Sequence, residues 1–247
     1  MGISTKYRTN DSEIMDDFAL EGEILQDALD KIAKINQFLG GNKLTIQGVE
    51  SLINTVSQSN EISILDIGCG NGDMLRSLAE YGLKNNLNFK LVGIDANAFT
   101  VKYARELSKH YPNISYQCID IFDKPFLELK YDIVLCTLTL HHFKEEEIER
   151  LLLVFEKQSR IGIVINDLHR NALAYRLFQS LCYVFRLNSM SKEDGLTSIL
   201  RGFKKEELVR FSEQLKYSNY KIQWKWAFRY QWIIFKDQVA INYEITA

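Results

Sequence analysis

The sequence of 247 residues lacks several features that mark special classes of protein. Its two prolines exclude long proline-rich linkers. A net charge of only -2 leaves no basic excess to attract a nucleic-acid backbone. No apolar run reaches the ~18 residues of a membrane-spanning helix, and the N-terminal MGISTKYRTNDSE has no apolar signal-peptide core. We therefore expect a soluble cytoplasmic protein with no membrane span and no nucleic-acid partner.

Cysteine is also scarce. The four cysteines lie far apart and include no C-x-x-C pair: Cys69, Cys118, Cys136 and Cys182. This pattern indicates reduced thiols in a cytosolic protein rather than a disulfide framework or a zinc site. Hydrophobic residues make up 46% of the chain and charged residues 25%, which is typical of a globular protein with a substantial core. The length fits one large α/β domain with small appended segments.

Short apolar runs alternate with helical segments through the middle of the chain, after two predicted N-terminal helices at residues 11–39 and 45–56. Gly40-Gly41 ends the first of these helices. The five predicted strands are SILDIG, KLVGID, ISYQCID, YDIVLCTLTL and IGIVIND. The predicted helices between them cover residues 72–81, 99–110 and 144–158. Continuous apolar strands separated by helices indicate a parallel sheet that is buried on both faces, in a three-layer doubly wound α/β fold.

This alternation stops after the fifth strand. Residues 171–187 predict a helix with a broad apolar face, residues 189–195 (SMSKEDG) a polar loop, and residues 204–215 a further helix. The segment KIQWKWAFRYQWIIF alternates apolar and polar residues, which is the period of a strand. It predicts an antiparallel hairpin with a tight turn near Arg229-Tyr230.

The stretch LDIGCGNGD, residues 65–73, follows the first predicted strand and contains Gly68, Gly70 and Gly72. Glycines at a strand-to-helix turn let backbone N–H groups approach a ligand closely. A dinucleotide fold requires G-x-G-x-x-G, but Asp73 occupies the position of the third glycine. This disfavours a nicotinamide dehydrogenase.

LDIGCGNGD resembles the first motif of class I S-adenosylmethionine-dependent methyltransferases, and three further motifs follow in order. KLVGID ends at Asp95, ISYQCID ends at Asp120, and YDIVLCTLTLHHF resembles the motif of the fourth strand. Four ordered motifs are a stronger signal than the glycine loop alone. The resemblance covers roughly residues 60–165 and the final hairpin. It implies a seven-stranded, mostly parallel sheet whose C-terminal hairpin is antiparallel.

The resemblance also implies which residues bind S-adenosylmethionine. Asp66 is expected to bind the ammonium group, directly or through water. Gly68, Cys69 and Gly70 form the loop under the methionine part and the ribose, although Cys69 is also a plausible small core residue. A carboxylate only accepts hydrogen bonds, which suits Asp95 to the ribose hydroxyls.

The remaining donor contacts come from later segments. Ala96 follows Asp95, and Asp120 and Ile121 are expected beside the adenine, although Asp120 alternatively only ends a strand. Thr137, at the end of strand four, is expected to face the methionine part. Arg8 is predicted to close over the donor from the N-terminal segment.

An oxygen acceptor must lose a proton, so a base is expected near the donor. His169, just after strand five in INDLHR, is the favoured catalytic candidate, and His142 after strand four is the second. The alternative is that both histidines are structural, with His169 and Arg170 anchoring the next helix. Asn166-Asp167 suggests a metal site as in catechol methyltransferases, but no other ligands are evident, so we predict no metal.

Flanking segments resemble a bacterial branch that is associated with polyketide or phenolic-lipid biosynthesis. They are SEIMDD, NQFLGGNKL, INDLHR and GLTSILRGFKKEEL. This implies a small lipophilic acceptor and favours O-methylation over C-methylation. The apolar residues 173–187 are expected either to roof the acceptor pocket or to form ordinary core.

Two other functions remain open. One is a module that binds S-adenosylmethionine without catalysis. The other is a methyltransferase of macromolecules, against which stand the balanced charge and the absence of an N/D-P-P-Y/F motif after strand four.

We predict a single methyltransferase domain over residues 1–247. Residues 1–58 form an N-terminal helical cap, 60–165 the donor-binding core, 170–203 a helical lid insertion, and 204–247 the last helix and the hairpin.

Overall fold

The computed structural model of the protein describes residues 3–56 and 61–236. Within these ranges the chain forms one seven-stranded sheet with the order β3-β2-β1-β4-β5-β7-β6. The strands are β1 (Ile62–Ile67), β2 (Phe89–Asp95), β3 (Ile114–Cys118), β4 (Tyr131–Thr137), β5 (Ser159–Leu168), β6 (Tyr220–Lys225) and β7 (Arg229–Phe235). Neighbouring strands among β1 to β5 pair in parallel, and β7 is antiparallel to both β5 and β6. The predicted α/β fold with an antiparallel C-terminal hairpin is confirmed.

Helices cover both faces of the sheet. They are α1 (Glu23–Phe38), α2 (Gly41–Ile53), α3 (Asp73–Lys84), α4 (Ala98–Leu107), α5 (Lys124–Leu127), α6 (Glu145–Gln158), α7 (Ala172–Val184), α8 (Ser189–Arg201) and α9 (Lys205–Gln214). One apolar core lies between the sheet and α2, α3 and α4. The other lies between the sheet and α5, α6 and α9. This three-layer arrangement brings the carboxyl ends of β1, β2, β4 and β5 to one edge, where α/β proteins bind their ligands.

The N-terminal segment differs from its prediction as one helix over residues 11–39. It forms a short 3₁₀ turn at Ile14–Asp16, and α1 begins only at Glu23. Gly22 precedes α1 with a φ of 97°, a left-handed conformation that a helix does not contain. Gly40 has a φ of 78° and separates α1 from α2, as predicted, but α2 begins four residues earlier than expected.

The prediction of a polar loop over residues 189–195 is wrong, because these residues form the first half of α8. The Asn188 side chain accepts a hydrogen bond from the backbone N–H of Ser191 and so caps this helix. The predicted hairpin turn is also displaced. Lys225 pairs with Arg229, and the chain turns through Ala227 and Phe228, which have φ values of 62° and 54°.

Two strands end earlier than predicted. Strand β3 ends at Cys118, so Asp120 and Ile121 lie in the turn that follows it. Strand β4 ends at Thr137, and Leu140–His142 form a 3₁₀ turn. Both changes place polar residues in turns at the ligand-binding edge.

None of the helices in the described residues is long and apolar enough to cross a membrane. The boundary near residue 58 and residues 237–247 of the predicted last segment lie outside the described residues.

Candidate active site

The glycine loop after β1 adopts left-handed backbone conformations. Gly68, Gly70 and Gly72 have φ values of 66°, 52° and 77°. A Cβ atom on Gly68 would lie 2.5 Å from the Thr139 side chain, and one on Gly72 would lie 2.0 Å from the hydroxyl oxygen of Tyr116. At Gly70 the nearest atom would be a methyl group of Leu29 at 3.8 Å. The loop is therefore packed tightly at both ends and has space at its middle glycine.

Asp66 lies beneath this loop and is 2% exposed. Among the described residues, none donates a hydrogen bond to its carboxylate. Burial and the nearby carboxylates of Asp73 and Asp95 raise the pKa of Asp66 well above its usual value. An unpaired buried carboxylate is unfavourable, and a positively charged ligand would relieve it.

Asp95, at the end of β2, is tied to the same loop. Its two carboxylate oxygens accept hydrogen bonds from the N–H of Gly70 at 3.1 Å and of Asn97 at 3.0 Å. Burial raises the pKa of Asp95, and these two bonds partly offset that effect. Each oxygen keeps a free lone pair, so the carboxylate can still accept bonds from two hydroxyl groups.

The other predicted donor residues lie in the glycine loop itself or in the turns that follow β2 and β3. Asp120 accepts a hydrogen bond from the N–H of Phe122 and is partly exposed, as is Ile121. The Ala96 carbonyl accepts a weak bond from the thiol of Cys118 at 3.5 Å. The Cys69 side chain is buried, and burial raises its pKa, so its thiol stays neutral.

Thr137 connects the end of β4 to the N-terminal helices. Its hydroxyl lies 3.2 Å from that of Thr45 on α2. Asn166 at the end of β5 donates to the same Thr45 hydroxyl and to the Gly41 carbonyl, both at 3.1 Å. The start of α2 is thus held over the ends of β4 and β5, beside the glycine loop.

The two histidines after β4 form a buried polar network. His141 is 2% exposed, and its Nδ1 lies 2.7 Å from the Oδ1 of Asp167, near the end of β5. The Nδ1 of His142 lies 2.7 Å from the Oδ1 of Asp16 in the N-terminal 3₁₀ turn. Their rings are tilted against each other with centroids 4.4 Å apart. In each histidine a carboxylate holds Nδ1, which leaves Nε2 as the free nitrogen.

Both free nitrogens face Glu13. The Oε1 of Glu13 is 3.7 Å from the Nε2 of His141, and its Oε2 is 3.9 Å from the Nε2 of His142. Burial raises the pKa of Glu13 to about 7, against the opposing effects of His142 and of a hydrogen bond from Ser198. Burial alone would also raise the pKa of Asp16, but hydrogen bonds from His142 and Arg201 outweigh it and the net pKa is lowered.

Arg8 and Arg201 both donate hydrogen bonds to backbone carbonyls in the turn after β4. Arg8 donates to the carbonyls of Arg201 at 2.7 Å, His141 at 2.9 Å and Phe143 at 3.0 Å, and its guanidinium stacks 4.7 Å from the ring centroid of Phe203. These contacts tie the N-terminal segment to the turn after β4. Closure of Arg8 over the donor stays a prediction.

His169 lies against the hairpin. Its Nδ1 accepts a hydrogen bond from the indole N–H of Trp224 at 3.2 Å, and its ring packs on Phe228 and Tyr230. Burial, with help from Lys204 and Arg170, lowers the pKa of His169 and keeps it neutral. These contacts are those of the structural alternative, and the catalytic role of His169 stays a prediction.

Sequence reasoning missed Glu13 and Asp16 as site residues. They lie near the N-terminus, and their partners are in the second half of the chain, so no local motif connects them. The only sequence signal was the acidic stretch SEIMDD upstream of a histidine pair.

Comparisons with known proteins find similarity to methyltransferases. A family profile described as "Methyltransferase domain" matches residues 64–158. The mitochondrial ubiquinone biosynthesis O-methyltransferase of Saccharomyces cerevisiae is 31% identical over 97 residues. That match covers 38% of this chain and 29% of the yeast protein, so the chain spans less than a third of that relative's length.

Solved structures share the fold over most of the chain. The plantazolicin methyltransferase BpumL in complex with SAH has a TM-score of 0.64 at 18% identity, over 87% of this chain and 94% of that chain. The DszA carbon methyltransferase has a TM-score of 0.59 at 16% identity, over 80% of this chain and 54% of that chain. A citrinin polyketide synthase CMeT domain has a TM-score of 0.56 at 16% identity, over 76% and 50%.

Proposed function

We propose that this chain is a class I S-adenosylmethionine-dependent methyltransferase and that it methylates a hydroxyl group of a small lipophilic acceptor. The observation that carries the donor part is the buried carboxylate of Asp66, which has no hydrogen-bond donor among the described residues and lies beneath three left-handed glycines. S-adenosylmethionine supplies an activated methyl group on a positively charged sulfonium. The cradle fits its other positive group, the ammonium, because the Asp66 carboxyl has no other partner and an ammonium beside it would favour its ionised form.

The proposed donor contacts divide among three segments. Asp66 binds the ammonium, and the backbone from Gly68 to Gly70 supports the methionine part and the ribose. Asp95 accepts hydrogen bonds from the ribose hydroxyls. Ala96, Asp120 and Ile121 line the adenine side, and Thr137 faces the methionine part.

The proposed base is His142, with His169 as the alternative. Asp16 holds the Nδ1 of His142, so the ring is oriented with Nε2 free to take a proton. His142 also lies close enough to Asp95 to lower the pKa of that carboxyl. This supports a position of His142 near the donor, whereas the ring contacts of His169 are with the hairpin.

The exposed apolar side chains of α7 support a lipophilic acceptor. Leu173 and Leu177 on this helix are 55% and 48% exposed. We propose that residues 170–203 act as a lid that contributes this surface to the acceptor pocket. O-methylation is favoured because the similar yeast protein is an O-methyltransferase. C-methylation stays the alternative because carbon methyltransferases share the fold.

The proposal also includes a cellular location and a class of acceptor for the chain. Four free cysteines support a cytoplasmic location. The nearly balanced net charge of -2 supports a small-molecule acceptor over a nucleic acid.

The first test is calorimetric titration with S-adenosylhomocysteine. We expect the wild type to bind and Asp95→Ala to bind at least about 10- to 100-fold more weakly, because losing even one hydrogen bond to a charged group costs about 1.5–3 kcal/mol. Glu106→Ala removes an exposed carboxylate from α4 and is the matched control, which should bind as the wild type does. No binding by the wild type would refute the donor site.

The second test is methyl transfer from labelled donor to a panel of phenolic and polyketide hydroxyls. His142→Gln should lower kcat by about 10²- to 10⁴-fold while leaving S-adenosylhomocysteine affinity unchanged. The same loss in His169→Gln alone would assign the base to His169 instead. Donor binding without transfer to any acceptor would favour the non-catalytic alternative.

A further inference from the structure

Glu13 converges on a single point with His141 and His142, the two histidines after β4. One potential ligand atom from each of Glu13, His141 and His142 lies within 4.8 Å of the other two. The shortest separations from Glu13 are 3.7 Å to His141 and 3.9 Å to His142. These distances are too long for hydrogen bonds, so the three groups surround a point without bonding to one another.

Two of these ligand atoms have no hydrogen-bond partner among the described residues, although they are deeply buried. They are the Oε1 of Glu13 and the Nε2 of His141, on residues that are 6% and 2% exposed. The nearest cation to this oxygen is Arg201, whose Nη1 is 3.5 Å away but bonds Asp16 at 2.7 Å. Buried polar atoms without a partner are rare, and one explanation is a ligand that occupies the space between them.

We propose that Glu13, His141 and His142 bind a divalent transition-metal ion such as Zn²⁺. Two imidazoles and one carboxylate are the protein ligands of a known class of zinc site that keeps a further position open. The site lies in the turn after β4, outside the donor-binding loop, and the sequence alone predicted no metal there.

The surroundings of the two histidines match those of metal ligands. A histidine that binds a metal usually donates its other ring N–H to a carboxylate, which fixes the tautomer and the ring orientation. Asp167 does this for His141 and Asp16 for His142, both at 2.7 Å. Both Nε2 atoms are therefore set as acceptors, which is the state that a metal requires.

Charge and access also favour a cation. Three further carboxylates lie around the cluster and add to that of Glu13, against the guanidiniums of Arg8 and Arg201; they are Asp16, Asp167 and Asp194. The Arg201 guanidinium is already bonded to the Asp16 carboxylate at 2.7 Å, so it does not fully neutralise Glu13, which is 3.5 Å away. The His142 side chain is 25% exposed, which gives an ion a route from solvent.

The metal and the base proposed above exclude each other at one atom. An Nε2 of His142 that is bound to a metal cannot accept a proton, so a metal-loaded chain would have to use His169, the alternative base. The metal inference nevertheless stands apart from donor binding, because none of its three ligands belongs to the glycine loop or to Asp95.

The test is calorimetric titration of chelator-treated protein with ZnCl₂, together with the visible absorption of the protein after CoCl₂ is added. We expect one Zn²⁺ per chain and a Co²⁺ spectrum typical of low-coordinate nitrogen and oxygen ligation. Glu13→Gln and His142→Gln should each lose this binding and the spectrum. His110→Ala removes an exposed histidine elsewhere and is the matched control, which should bind as the wild type does.

A variant of Asp16, which orients His142 without being a ligand itself, sharpens the test. Asp16→Asn keeps all three ligands but weakens the orientation of His142, and it should reduce Zn²⁺ affinity about 10- to 100-fold. S-adenosylhomocysteine titration of each variant shows whether it is folded and separates failure of this site from failure of the donor site. Absence of Zn²⁺ binding by the wild type, or equal binding by the wild type and both ligand variants, would overturn the proposal.

Discussion

At the scale of single residues, the proposed donor site contains a group that lowers the stability of the fold. Asp66 is almost fully buried, no described residue donates a hydrogen bond to its carboxylate, and the carboxylates of Asp73 and Asp95 repel it. Such a group is unfavourable in the free protein and favourable only when a cation binds beside it. We therefore expect Asp66 to lower the stability of the donor-free protein and to raise its affinity for the donor.

The variant Asp66→Asn should separate these two effects. Because it removes an unpaired buried charge, we expect the free protein to become more stable by about 1 kcal/mol. S-adenosylhomocysteine should bind more weakly, since the ammonium loses its counter-charge. Thermal unfolding with and without ligand measures both changes, and a variant that is less stable and binds normally would contradict this account.

The same substitution has a predictable pH dependence. The pKa of Asp66 is raised in the folded state, so folding resists its ionisation. Its penalty is absent below the ordinary value of 3.8 and grows as the pH rises from there towards the folded pKa. The stability gain of Asp66→Asn should therefore be small near that value and larger at neutral pH.

Residue-level prediction from the sequence succeeded where a role depends on local backbone. The glycines were expected to form a tight turn, and all three have positive φ values. It failed for Glu13, whose neighbours His141 and His142 come from the second half of the chain. No periodicity or spacing records such a contact, because only the complete fold brings these segments together.

At the scale of elements, the main wrong prediction was the polar loop in place of the start of α8. The segment SMSKEDG is polar, but its Asp194 side chain is used to bind the backbone of the N-terminal segment. Asp194 is 3% exposed and accepts hydrogen bonds from the N–H groups of Ile14 at 2.7 Å and Met15 at 3.0 Å. These bonds join α8 to the 3₁₀ turn that carries Glu13 and Asp16.

Asp194→Ala should therefore loosen the N-terminal segment. Two backbone N–H groups would lose their partner, which typically costs about 1–3 kcal/mol when the groups stay buried. We expect lower thermal stability and faster proteolytic cleavage between residues 3 and 22. Glu193→Ala changes the exposed neighbouring acid on the same helix and should leave both unchanged. Equal behaviour of the two variants would show that α8 does not anchor this segment.

At the scale of the whole molecule, the sequence predicted the fold well because the strands β1, β2, β4 and β5 are buried on both faces over most of their length. Five apolar runs separated by helices leave few arrangements other than a parallel sheet with right-handed crossovers. The hairpin was predicted from its two-residue period, but the exact turn was not, since Ala227 and Phe228 adopt left-handed conformations that their residue types do not favour. Tertiary pairing of Lys225 with Arg229 determines the turn instead.

This architecture separates the proposed donor site from the tryptophans, which allows a test of cooperative unfolding. All three tryptophans, Trp224, Trp226 and Trp232, lie in the C-terminal hairpin, whereas the donor loop follows β1 in the middle of the sheet. The continuous ladder β1-β4-β5-β7-β6 connects them. If this sheet unfolds as one unit, a ligand at one place stabilises all of it equally.

S-adenosylhomocysteine at about 100 times its dissociation constant should stabilise the folded chain by about 2.7 kcal/mol. For a domain of this size that corresponds to a rise in Tm of roughly 5–10 °C. The Tm from tryptophan fluorescence should rise as much as the Tm from far-ultraviolet circular dichroism, and Asp95→Ala should show little rise in either. A rise confined to circular dichroism would mean that the hairpin edge unfolds separately from the strands that bind the donor, because the ligand then stabilises only part of the sheet.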